Sequence, residues 1–184
     1  MFLYRAALSL SSFSFAAGSA AFLALGESAG APLEWAYLGG AVGLGGALGL
    51  VHMYAADIKR VILALYALGA VGSVVAKLAL VGGDVMPLPV WVGEHPAAIW
   101  LVGPMFASMT GLAIKEGLCY GKAEAALIAV LTPTILLGHL TGLAGDGVEA
   151  GLLAIWAGCV ATFGARKWTQ PVDVCYVRCR VCDR

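Results

Sequence analysis

Residues 103–143 read GPMFASMTGLAIKEGLCYGKAEAALIAVLTPTILLGHLTGL. Two apolar runs flank a short polar turn, and each run is long enough to approach the roughly 20 residues a helix needs to cross a bilayer. The stretch is therefore predicted to be a hairpin of two membrane-spanning helices. Lys115 and Glu116 sit at its turn, Pro104 and Pro133 interrupt one arm each, and His139 lies near the far end. Most of the polar chemistry that the chain places at membrane depth is gathered here.

The rest of the chain agrees with a membrane setting. Of 184 residues, 61% are hydrophobic and 12% charged, against roughly 25% charged in soluble domains. Such a chain cannot hide its apolar surface in one water-soluble core. Formal net charge is zero, and no basic stripe suits nucleic acid. Six apolar runs, 6–25, 33–54, 61–81, 97–114, 125–141 and 148–163, predict an all-α polytopic protein of six transmembrane helices over residues 1–167, followed by a short tail, 168–184. The first run is read as a retained helix and not as a cleaved signal.

Charge sets the expected orientation. With six spans, Arg5, Lys59, Arg60, Lys115, Lys122, Arg166 and Lys167 all fall on one side. Glu27, Glu34, Asp84, Glu94, Asp146 and Glu149 fall on the other, whose loops carry no lysine or arginine. The positive-inside rule then places both termini on the cytoplasmic or stromal side.

Within the spans, the polar and small residues suggest packing more than catalysis. Ser9, Ser11, Ser12 and Ser14 are expected to bond back to their own helix carbonyls. Gly39, Gly43 and Gly46 form a small-residue face that permits close helix approach, either within the chain or against a partner subunit, pigment or lipid. Lys77 is expected to snorkel to the acidic-side interface, with Asp84 as a partner. Pro87 and Pro89 predict an irregular interfacial loop, with Trp91 at the headgroup boundary. Pro104 and Pro133 release the carbonyls of Trp100 and Ala129, and Thr110, Thr132 and Thr134 are nearby donors. Thr132 and His139, seven apart, share a helical face.

The candidate ligands are few. His52 and His139 approach opposite sides of the membrane, so they cannot jointly bind one haem; each is instead a candidate axial ligand to a chlorophyll. Lys115, Glu116 and Glu124 form an interfacial charge cluster on the basic side, with His52 at a similar depth. Adjacent residues diverge on a helix, so Lys115 and Glu116 are not expected to pair with each other; Glu116 is matched instead with Lys122 or Arg60. The cluster has no evident nucleophile, and it reads as a structural knot. No catalytic residue and no metal site are assigned. Cys175, Cys179 and Cys182 stand at CxxxCxxC spacing in the tail, but zinc wants a fourth ligand and the spacing is read as incidental.

Several motifs carry a family resemblance: YRAAL near the start, HMYAADIKRVILALYALG in the middle, KEGLCYG and TPTILLGHLTG in the hairpin, and LLAIWAG with FGARK near the end. The chain from Tyr4 to Lys167 resembles a family of uncharacterised integral membrane proteins found in cyanobacteria and in the plastids of algae and plants. The resemblance implies a thylakoid membrane with the basic side facing the stroma, and it supplies no catalytic residues. The expectation is a non-catalytic subunit or assembly partner of a photosynthetic membrane complex, in contact with chlorophyll, carotenoid or lipid. The alternative is a small-molecule or ion transporter, to which proline-broken helices near the midplane point.

Overall fold

The computed structural model describes residues 2–51, 56–80 and 86–169. His52, Asp84, Cys175, Cys179 and Cys182 lie outside the described residues. Seven α-helices are present among those described: α1 (Phe2–Leu25), α2 (Ala31–Leu50), α3 (Ala56–Val75), α4 (Leu88–Glu94), α5 (Ile99–Tyr120), α6 (Ala123–Thr141) and α7 (Asp146–Arg166). Among the described residues, five stretches are long and apolar enough to cross a membrane: Phe2–Leu25, Ala56–Ala79, Pro96–Leu118, Ala123–Thr141 and Asp146–Arg166. At 20 residues, α2 is about 30 Å long, but its glycines and Glu34 dilute its apolarity and it is not among the five.

Close contacts link α1 to α2 and α7, α5 to α3 and α6, and α6 to α7. Short connections thus make most sequential helices neighbours. The glycine face of α2 lies against α1: a side chain at Gly43 would come within 2.5 Å of the Ser11 backbone nitrogen. Gly39 and Gly46 face Ser14 and Ala7 on the same helix. Equally close is α3 to α5, where a side chain at Gly69 would meet the Met105 nitrogen at 2.2 Å. Backbones this near leave no room for a ligand between them. The core between the helices is filled by Leu44, Leu48, Val102, Met105, Leu112, Ile128 and Val160, each no more than 2% exposed.

Several local expectations are corrected. The segment with Pro87 and Pro89 contains a helix, because Pro87 is its N-cap and Pro89 stands in the first turn, where a missing N–H forfeits no intrahelical bond. After Val75, α3 widens into a π-helical turn over Ala76–Leu80. The last span begins earlier than read, at Asp146. Asp146 and Glu149 occupy its first turn, where acidic side chains complement the helix dipole. Ser9 reaches across to α7 instead of back along α1, donating to Gly164 O at 3.3 Å and accepting from Trp168 Nε1 at 2.8 Å. Thr110, Thr132 and Thr134 bond to Phe106, Ile128 and Val130, not to the carbonyls that the prolines release.

Candidate functional site

Polar side chains gather at two ends of the helix bundle. At the basic end, Glu116 on α5 is fully buried. Its Oε1 accepts from Tyr4 at 2.7 Å and Lys115 at 3.1 Å, and its Oε2 accepts from Lys167. The Lys167 ammonium also lies 5.1 Å from the centre of the Tyr4 ring, within cation–π range. The expectation that Lys115 and Glu116 diverge is overturned, because the long lysine side chain folds round to its neighbour's carboxylate. Arg60 pairs with Asp57 instead of Glu116. Beside this knot, Glu124 on α6 is held by Arg166 at 3.0 Å, with Lys122 at 4.0 Å. Lys115, Glu116 and Glu124 are thus drawn into one charge cluster that ties α1, α5, α6 and the end of α7 together. Burial pulls the Lys167 ammonium below the ordinary lysine range, while Glu116 pulls the other way. Burial lowers Lys122 likewise, opposed by Glu124.

The acidic end is built differently. A cavity of about 750 Å³ opens there, with walls from α1, α2, α4, α5, α6 and α7. That volume is in the range of small-molecule sites. Phe15, Tyr37, Phe106 and Trp156 form its aromatic floor; the Phe15 and Phe106 centroids are 5.3 Å apart, and Phe106 lies 6.4 Å from both Tyr37 and Trp156. The floor is pinned by its polar edges. Trp156 Nε1 donates to Thr132 Oγ1 at 2.9 Å, and Tyr37 donates to Ser73 Oγ at 2.6 Å, since Ser73 itself donates to Gly69 O.

His139 lies on the same wall as Thr132, two turns nearer the mouth, so the seven-residue spacing does place both on the cavity. At 1.5 Å per residue the two are about 10 Å apart along α6. His139 Nδ1 is 3.0 Å from Glu149 Oε2 and Nε2 is 3.1 Å from Val92 O. A carbonyl has no proton to give, so Nε2 must be the donor to Val92, and a proton is shared between Nδ1 and the Glu149 carboxylate. Neither nitrogen offers a lone pair to the cavity, as axial ligation of a chlorophyll magnesium requires. As placed, His139 does not fit that role.

One side of the mouth is covered by α4, held by three polar contacts. Glu34 Oε2 accepts from the Leu88 backbone N–H at 2.8 Å, satisfying a donor that a helix start leaves open. Lys77, from the π-helical turn, donates to Met86 O at 2.8 Å and to Glu34 at 3.3 Å. The described partner of Lys77 is therefore Glu34. The third contact is the His139–Val92 bond. His95 does not join His139; it stacks on Trp91 at 4.8 Å.

Residues 46–175, more than two thirds of the chain, match the model of a family described as uncharacterised integral membrane proteins, DUF2301. The chain belongs to that family. It is accordingly an integral membrane protein, embedded in a lipid bilayer. The family match takes in the knot's Glu116 and Lys167, the α4 lid and His139, but starts beyond Tyr4, Phe15 and Tyr37. No curated protein and no solved structure matches the chain.

Sequence reasoning missed the aromatic floor and the partners Tyr4, Lys167, Glu149 and Val92. Buried aromatics spaced along α1, α2, α5 and α7 were the available signal, but spacing within one helix does not say which other helix it will meet. Among the described residues, no three His, Cys, Asp or Glu side chains come together as a metal site.

Proposed function

We propose that the protein is a non-catalytic subunit or assembly partner of a photosynthetic, thylakoid membrane complex, and that it holds a pigment or lipid in the cavity at its acidic end. In this reading α2 is a sixth span, both termini face the cytoplasm or stroma, and the cavity opens toward the opposite side. The observation that carries the reading is the cavity itself, a largely apolar, aromatic-floored space walled by six helices, whose His139–Glu149 pair is occupied in holding the α4 lid through Val92. The habitat, a plastid or cyanobacterial membrane, is what the resemblance in the sequence implies. Chlorophyll or carotenoid would be held by the apolar walls and not through His139 as an axial ligand. The test is to tag the protein, isolate its complexes in mild detergent from a photosynthetic membrane, and take absorption spectra of the isolated species. Co-migration with a pigment-bearing complex is expected; a pigment-free, unassociated protein would count decisively against the reading.

One feature favours a second reading, a transporter. The cavity is open at one end, and the opposite end is shut by the Glu116 ion pairs, as a gated pathway requires. Solute flux in proteoliposomes that is abolished by Glu116→Gln or His139→Gln would select this reading over the first.

A further inference from the structure

We propose that the cavity's ligand is an uncharged amphiphile with a flat, conjugated, carbonyl-bearing ring, the chemistry of a quinone, and that it docks between His139 and the aromatic floor. The inference rests on the reading of the cavity as a ligand site and names the class it takes.

Charge comes first. Among the described residues no lysine or arginine lines the cavity, and its one basic group, His139, is already matched by Glu149. A fatty-acid carboxylate or a lipid phosphate would therefore enter without a counter-ion, beside Glu149 and Asp146, and a buried unpaired charge is costly. A cation fares little better, because Glu149 is engaged by His139 and Asp146 is exposed, where water screens its charge. Shape comes next. Phe15, Phe106 and Trp156 meet at centroid distances of 5.3 to 6.5 Å, a surface against which a conjugated ring stacks favourably. The depth from His139 to that floor is about 10 Å, enough for one ring and a few carbons, with the tail leaving through the mouth. Hydrogen bonding completes the match. His139 Nε2–H now donates to a main-chain carbonyl on the lid, Val92 O, and a ligand carbonyl can take that place without any change of protonation. No electron transfer is invoked.

The full chain in detergent micelles can test this through Trp156, since a quinone at the floor quenches its fluorescence. Decylubiquinone is titrated against the wild type and Trp156→Phe, with palmitate and dodecyltrimethylammonium as competitors. A saturable quenching component is expected in the wild type and absent from Trp156→Phe. Tenfold excess of either charged amphiphile should leave it unchanged. Ala150→Phe, which adds bulk to an exposed lining position, should weaken it at least tenfold. His139→Leu, a second variant independent of that substitution, should weaken it severalfold, with His139→Gln restoring part of the loss. If palmitate or the cation displaces the quinone, the ligand class is wrong while the cavity remains a ligand site. If the wild type shows no saturable component, or both Ala150→Phe and His139→Leu bind as the wild type does, the docking site is wrong. Should native complexes prove pigment-free while saturable quenching persists, the photosynthetic reading falls and the quinone site stands.

Discussion

The two ends of this molecule use their polar residues in opposite ways. At the basic end, charged side chains point into the protein and close it. Glu116, fully buried, takes three donors from α1, α5 and the end of α7. At the acidic end, polar side chains hold a space open: Glu34 and His139 bind the backbone of a short helix, Lys77 binds the residue leading into it, and together they keep it at the edge of a cavity. In this protein charged groups that meet side chains close the basic end, whereas those at the acidic end also reach main chain and hold an aperture.

The largest effect should come from breaking the closed end. Lys167→Met leaves Glu116 buried with one strong partner fewer, and removing one side of a buried ion pair costs about 3–5 kcal/mol. A lower Tm in detergent would register it. A double variant, Lys167→Met with Glu116→Met, removes both charges and should recover much of the loss, because a buried pair replaced by apolar groups is often nearly neutral.

Opening the other end should cost less and act locally. Glu34→Ala removes the acceptor for the Leu88 N–H, a charge-assisted bond that contributes about 1.5–3 kcal/mol, while Lys77 keeps Met86 O and its partly exposed pair with Glu34 contributes little. Hydrogen exchange should show α4 amides losing protection while α5 and α7 near the knot keep theirs. If both regions loosen together, the two ends are not independent and the contrast fails. Smaller again is Trp156→Phe, which leaves Thr132 without its donor at about 1 kcal/mol, seen as a small fall in Tm.

The smallest effect is in pH. Lys122 and Lys167 have folded-state values below 10.5, their ordinary value. Between the depressed values and 10.5, the unfolded chain binds more protons than the folded one, so these two groups make stability rise with pH through that window and not fall. A Tm series in detergent at rising alkaline pH checks the sign. Glu116→Gln with Glu124→Gln removes the charges that oppose burial, so both values should fall further and the pH window should widen.

Much of this was legible in the sequence. Long apolar runs gave the helices, and charge segregation grouped Lys115, Glu116 and Glu124 at one end; His139 and Glu149 fell on the other side without their pairing being legible. Reading stopped where side-chain reach or a third helix decided the outcome. Lysine length let Lys115 turn back to Glu116. Pro87 and Pro89 read as breakers from sequence, although at a cap and in a first turn prolines are tolerated. No periodicity announces the cavity, because it is the space left where six helices diverge.

The knot has a consequence for biogenesis. Tyr4 is 112 residues from Glu116, and Lys167 is 51 residues beyond it. During synthesis Glu116 must therefore enter the membrane before its last partner exists, with Tyr4 already waiting. The carboxylate is fully enclosed only when α7 and Lys167 have been delivered and α1 has found α7. Arrival of α7 and sealing of the basic end are a single event, so a nascent protein lacking α7 carries an acid without its buried cation.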